Sequence, residues 1–519
     1  MSLPTTLALV GVLTAWLDID LLVLGHLFEF VIPNAVLNTL GLVVCVAIVT
    51  SLIAVISAWL TTVCDFPGRA FFSWALILPM AIPGYVMAFA LVGALEYTGS
   101  FQTYLRESIS SSLILPDIYS FGGVVLALSL TLYPYTYLLV RNAFQTQGKQ
   151  SLEVGQSLGL SVRQSFWRVS LPQARPWIVG GSLLVMMETL ADFGTVAVFN
   201  YDTLTTTIYK SWFGLFSFQS ALQIASLLLL FVIVVSLLEA QSRHKQRFTN
   251  ARNTVQARSR ILLPSKQAYL ACAFCGVIFF IGFMLPIGQL LLWAIPHLSL
   301  GLTDQFWRYM LGSFSLSLLA MTIITVFALL LAFAARTQNS YLANWSVKIS
   351  TLGYALPGTV LAVGLLAPIA AIDHYLARFG FAAPILQGSI VVMLLAYSVR
   401  FMAVAFSPIE NNLLRVTPSI DAASRSLSVS GLSMLWRVHF PMIRVGVLTA
   451  MVLVFVDVMK ELPITLMTRP FGFNTLAVRI YELSSEGLWQ RAALPALAIV
   501  LVGLIPVVIL ILRADKVQQ

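Results

Sequence analysis

Charge is what this sequence has least of. Only 10% of its 519 residues are Asp, Glu, Lys or Arg, where a soluble domain carries about 25%. A water-soluble globule is therefore excluded. Cysteine is scarce too: Cys45, Cys64, Cys272 and Cys275. The last two make a C-x-x-C, but inside the apolar run AYLACAFCGVIFF. There they read as small core residues rather than as redox or metal chemistry. The five histidines show no paired ligand spacing. No G-x-x-x-x-G-K-[ST] occurs, so the chain does not cradle a nucleotide in a P-loop. Met1 to Leu13 has no basic stretch ahead of its apolar residues, and a cleaved signal peptide is not expected.

What is present is hydrophobic, at 59% of residues. Runs of about 20 apolar residues recur along the whole length, which predicts an all-α, polytopic membrane protein. A transmembrane barrel would show short alternating segments instead. About twelve transmembrane helices are expected, near 3–25, 35–63, 70–96, 119–143, 176–200, 219–240, 268–296, 311–335, 345–372, 384–407, 443–468 and 493–512. Asp18 and Asp20 interrupt the first. The net charge of +9 does not imply nucleic acid, because of where it sits. With the N-terminus in the cytoplasm, most Lys and Arg fall in cytoplasmic loops or at their edges. That is the positive-inside bias of a cytoplasmic membrane. The densest cluster is residues 242–266.

The chain is written twice. SFWRVSLP, 165–172, matches MLWRVHFP, 434–441, at an offset of 269 residues. AIPG, 81–84, matches ALPG, 355–358, and DTLTTTIY, 202–209, matches NTLAVRIY, 474–481. We read a first repeat over 1–241, a basic cytoplasmic linker over 242–266, and a second repeat over 267–519. Six spans per repeat return the chain to its starting side. The repeats are therefore parallel, both termini are expected in the cytoplasm, and a pathway is expected between the halves.

Two cytoplasmic loops, 151–176 and 419–444, are too long and too patterned for passive turns. Each has small residues, a turn-prone section, and an amphipathic stretch ending in Pro172 or Pro441. Phe166, Trp167 and Val169, and Leu435, Trp436 and Val438, are expected to give each loop an apolar surface for a partner's groove.

These loops resemble the EAA motif of binding-protein-dependent ABC importer permeases, E-A-A-x-x-x-G, nine residues, then I-x-L-P. The first copy has Glu153, Val154 and Gly155, then Gly159, then Leu171 and Pro172. The second has Ala422, Ala423 and Ser424, then Ser428, then Pro441. It departs twice: Ala422 stands at the Glu position with Asp421 one residue earlier, and Ser428 replaces the turn glycine. The resemblance implies a type I importer permease fold, two like half-sites, and loops that couple the chain to an ATPase. The second loop is expected to dock less well.

The carboxylates inside the membrane are the other departure from apolar sequence. Glu188 and Asp192 lie near 176–200, and Asp457 and Glu461, with Lys460 between them, recur at the same offset of 269. Each pair is spaced i, i+4, which places it on one helical face. Charges near the bilayer centre cost about 2.5–3.5 kcal/mol each, so these side chains are expected to avoid lipid. Gly194 and Pro463 are expected to loosen the helix just after the acids. Gly84 and Gly358 mark places where a span bends, or where helices pack closely. Two readings stay open on the residues alone. Lys460 pairs with an acid while the rest hydrogen-bond across helices, or the acids line a passage for a hard cation and bind it transiently.

Around these acids, METLADFGTVAVF and VDVMKELPITLMTRPFGFNTLAVRIYE are similar to the fused, two-copy permeases of ferric-iron importers, from about residue 34 to the end. That resemblance implies Fe(III) as cargo, a periplasmic binding protein that delivers it, and two copies of a cytoplasmic ATPase that carry ATP and Mg. It implies a bacterial inner membrane location, lipid as surroundings, and no cofactor or catalysis in this chain. Related fused permeases move thiamine or polyamines, also cations. A proton-driven secondary transporter using the same four acids is the contrasting class, but it has no need of the two loops.

Overall fold

The computed structural model describes residues 2–17, 25–110, 112, 114–247, 260–338, 340–380 and 384–516. In chain order the elements used below are α1 Ser2–Leu13, α2 Ile32–Thr62, β1 Cys64–Asp65, α3 Arg69–Ala75, α4 Gly84–Leu95, α5 Phe121–Ser157, α6 Val162–Ser165, α7 Leu171–Ala191, α8 Gly194–Val198 and α9 Phe218–Arg247. They continue with β2 Ile261–Leu262, α10 Ser265–Phe279, α11 Leu285–Ala294, α12 Asp304–Thr337, α13 Tyr341–Leu352, α14 Gly358–Ala377 and α15 Ile390–Leu413. The last are α16 Pro418–Ser426, α17 Gly431–Met434, α18 Phe440–Lys460, α19 Pro463–Thr468 and α20 Trp489–Lys516. Helices such as α2 are apolar on every face, as a chain surrounded by lipid requires.

Among the described residues, nine helices are long and apolar enough to cross a membrane. Arg69–Ala81 and Gly84–Ser108 make a tenth crossing when taken together, bent by 100°. The other two expected crossings are present in a different form. The first is the shorter apolar helix Ser2–Trp16. The fifth is α7, diluted by Arg175 and Glu188, and it ends before Asp192.

The described residues form two compact units that do not follow the sequence repeats. One comprises Met1–Leu27, Thr207–Leu229 and Leu302–Arg479. The other comprises Phe28–Thr206, Leu230–Gly301 and Ile480–Gln519. In the first unit α1 lies against α14, backbone to backbone. A Cβ on Gly364 would lie 2.6 Å from the Ala8 carbonyl oxygen, and one on Gly11 would run into the Gly364 carbonyl. Small residues permit this approach, which is how helices gain contact in lipid. The Gln219 and Gln223 amides both donate to the Ala15 carbonyl, at 2.6 and 3.2 Å, and so satisfy the end of the N-terminal helix.

In the second unit the bend after α3 frees backbone carbonyls that lipid cannot satisfy. Side chains from α5 take them up. Tyr133 Oη donates to the Leu76 carbonyl at 2.7 Å, and Tyr137 Oη and Arg141 Nη1 donate to the Ser73 carbonyl at 3.1 and 3.0 Å. Of the basic linker, residues 248–259 lie outside the described residues. On either side of them, α9 runs on to Arg247, and Ile261–Leu262 pairs in parallel with Cys64–Asp65.

Candidate functional site

The first loop begins where α5 runs out of helix. Gly159 adopts φ +80, and the chain closes behind it with Gly159 N–H on the Gln156 carbonyl at 2.9 Å and Leu160 N–H on the Gly155 carbonyl at 3.0 Å. This is a left-handed helix cap, which glycine makes without steric cost. Ser161 then caps α6 reciprocally with Gln164. Gly155 has no room for a side chain: a Cβ there would lie 2.7 Å from Ser165 Cβ. The family's small residue thus lets α5 and α6 touch. Glu153 and Pro172 are exposed and Leu171 is half-buried.

The second loop repeats this geometry with the wrong residue. Ser428 adopts φ +62, with Ser428 N–H on the Arg425 carbonyl at 3.0 Å and Val429 N–H on the Ser424 carbonyl at 2.9 Å. The cap is retained although serine is strained there. Ala422, Ala423, Ser428 and Pro441 are exposed, whereas Asp421 is buried. Burial alone would push the Asp421 carboxyl up. Hydrogen bonds from His439 and Arg336, with the Arg336 charge, outweigh it and hold the group below its ordinary value.

Of the expected apolar surface residues, only the tryptophans face outward, Trp167 at 60% and Trp436 at 52% exposure. Phe166 turns inward against Trp59, with ring centroids 4.4 Å apart, and Leu435 is fully buried. Among the residues that join the tryptophans outside are Leu158 and Leu427, at 74% and 76%. Sequence reasoning missed both, although they share the offset of 269. Each loop therefore presents a Leu–Trp pair in the same register.

The intramembrane acids depart from the expected geometry. Glu188 and Asp192 do not share a helix face, because α7 stops at Ala191 and Asp192 is extended, at φ −69 and ψ 129. Likewise α18 stops at Lys460, and Glu461 is extended at φ −70 and ψ 123. The break precedes Gly194 and Pro463, which instead begin the next short helix. The reason is capping. Asp192 Oδ2 accepts from Thr195 Oγ1 at 2.8 Å and Oδ1 from Val196 N–H at 3.2 Å. Glu461 Oε2 accepts from Ile464 N–H at 3.2 Å. Thr205 and Thr465 hydroxyls donate to the Asp192 and Glu461 carbonyls, at 2.7 and 2.9 Å, and satisfy the ends of α7 and α18.

Each acid also meets the proline–glycine turn of its own unit. A Cβ on Gly84 would lie 3.2 Å from Asp192 Oδ2, and one on Gly358 would lie 2.8 Å from Glu461 Oε1. Gly84 and Gly358 open α4 and α14, so the carboxylates sit at helix N-termini where negative charge is favoured. The glycines are thus both the bend and the close contact. The halves differ in one respect that the sequence did not reveal. Arg400 Nε lies 3.9 Å from Glu461 Oε1, and its Nη1 donates to the Leu356 carbonyl at 2.7 Å. The Asp192 carboxylate is met by the Thr195 hydroxyl. Glu188, Asp457 and Lys460 are half-buried. Among the described residues no group of three or more His, Cys, Asp or Glu is set to hold a metal ion.

Residues 64–249 match the family described as the binding-protein-dependent transport system inner membrane component. The chain is 28% identical over 477 residues to Fe(3+)-transport system permease protein FbpB 2 of Haemophilus influenzae, covering 91% of this chain and 88% of that one. It is 23% identical to ferric transport system permease protein FbpB of Actinobacillus pleuropneumoniae, over 74% of this chain and 57% of that protein. A shorter match, 25% identical, is to molybdenum transport system permease protein ModB of Haemophilus influenzae, over 36% of this chain and 80% of that one. With its duplicated loops and its helical, multi-pass build, the chain is similar to the inner membrane permease components of binding-protein-dependent transport systems.

Proposed function

We propose that this chain is the membrane subunit of an ATP-driven importer for Fe(III). A periplasmic binding protein delivers the ion, and two copies of a separate cytoplasmic ATPase hydrolyse ATP with Mg. The observation that carries the coupling is the duplicated loop: a left-handed cap at Gly159 and Ser428, followed by an exposed Leu–Trp pair at the same register. An apolar anchor beside a rigid turn suits a partner's groove. Glu153, Gly155, Leu171 and Pro172 shape the first dock, and Asp421, Ala422, Ala423 and Pro441 the second. The cargo reading draws support from the iron named for the longest-matching relatives. In each unit a pair of acids, Glu188 with Asp192 and Asp457 with Glu461, attracts the cation without enclosing it, and Lys460 and Arg400 offset part of the charge of the second pair. The iron is substrate here, held only in passing.

The test is to purify the permease with its ATPase and measure retention, then iron uptake. A Gly159→Pro, Ser428→Pro double variant is expected to lose the ATPase while still inserting. Full retention and normal uptake in that variant would sink the coupling. Uptake of thiamine or a polyamine in place of iron would reassign the cargo and leave the coupling intact.

A further inference from the structure

The second loop is tied down by charge, and the tie involves a residue 85 positions away in sequence. Arg336 stands in the last turn of α12. Its Nε donates to Asp421 Oδ2 at 2.9 Å, and its Nη2 lies 2.8 Å from the same oxygen. Nη1 donates to the Leu413 carbonyl at 2.9 Å and Nη2 to the Val416 carbonyl at 2.7 Å. His439 Nε2 is 2.8 Å from Asp421 Oδ1, and the imidazole is fully buried. One guanidinium thus joins the ends of α12 and α15 to the first turn of α16. Asp421 carries the tie on to the turn from which α18 rises. In the first repeat, Leu152 and Ser170 stand at the positions of Asp421 and His439. That loop relies on its glycine cap, the Gly155–Ser165 contact and Phe166 packed on Trp59.

A buried ionic network is commonly no more stabilising than apolar side chains of the same volume. Stability is therefore a poor account of it. What the guanidinium supplies is direction, since its planar fork fixes both partners in angle as well as distance. We infer that Arg336, Asp421 and His439 are positioning residues that lock the second coupling loop to α12 and α18. Displacement of this loop is then passed directly to the helix that ends at Lys460 and Glu461. The network does the work of the family's Glu and Gly, which this loop lacks. The inference rests on the reading of both loops as ATPase docks.

The experiment uses the complete importer in phospholipid vesicles, with Arg336→Met, Asp421→Asn and His439→Gln, and Ser170→Ala as control. Two quantities are read: iron taken up per ATP hydrolysed, and amide exchange over 418–426. Breaking a buried pair is expected to speed exchange in 418–426 by about tenfold or more, with 153–157 unchanged. Uptake per ATP is expected to fall several-fold, a ratio that a purely structural defect would leave alone. Unchanged exchange, or unchanged uptake per ATP, overturns the inference. Should Arg336→Met fail to insert, Asp421→Asn keeps the side-chain shape and carries the same test. If the Gly159→Pro, Ser428→Pro variant keeps its ATPase, the docking reading fails, and the exchange result still reports whether the lock holds the loop.

Discussion

At the scale of single residues, the two loop caps form an internal comparison. Gly159 and Ser428 hold the same left-handed conformation, one without strain and one against it. An L-residue there costs roughly 1–2 kcal/mol. Ser428→Gly is expected to stabilise the second loop by about 1 kcal/mol, and Gly159→Ala to weaken the first by a similar amount. Amide exchange at Val429 and Leu160, whose N–H groups close the two caps, measures both; equal exchange in parent and variants would contradict it. The acids divide in the same way. Glu188 lies within α7, whereas Asp192 is spent on capping α8. Glu188→Gln is therefore expected to reduce iron uptake with basal ATPase activity and folding unchanged. Asp192→Asn is expected to cost about 1 kcal/mol in thermal stability as well, through the weaker cap. Uptake at the parental rate in the Glu188→Gln, Asp192→Asn double variant would make these acids structural.

At the scale of elements, the helix breaks depend on paired contacts. Gly84 and Gly358 let two helix starts rest on the acids of their own units. Gly84→Leu and Gly358→Leu each force a side chain into that contact, and overpacking of this kind costs about 1–3 kcal/mol. A loss of thermal stability in both is the expected result, with neither variant matching the parent. These breaks were only partly legible in the sequence. The i, i+4 spacing of the acids is the same whether the helix continues or not, so periodicity could not reveal the stop. Pro463 was the available signal, because proline opens helices readily and an acid two residues ahead can cap them. The two loop turns were legible as turns, since Gly159 is the glycine of the motif and the offset of 269 carries its place to Ser428; that Ser428 keeps the left-handed conformation was not. Arg336 and Arg400 were not, because each meets its acid only after the chain has folded back over 85 or 61 residues.

At the scale of the whole molecule, the basic residues are expected to set the direction in which the chain is threaded. Both termini and the linker are expected on the cytoplasmic side. A cysteine introduced at Ser259, outside the described residues, should resist a membrane-impermeant label applied to intact cells. One introduced at Ser485, which is exposed, should react. Efficient labelling at 259 would reverse the topology and remove the parallel-repeat argument. The interleaved make-up of the compact units has a consequence for synthesis. The unit that holds α1 also needs α14, where Gly364 receives Gly11. Ribosomes add about 5–20 residues per second, so α1 leaves the ribosome on the order of tens of seconds before its seat exists. It is too short to cross the bilayer securely by itself, and the translocon or an insertase has to shelter it meanwhile. Among the segments of this unit, an early arrival is thus among the last to be seated, and a ribosome that stalls before Gly364 leaves α1 as the exposed mark of an unfinished chain.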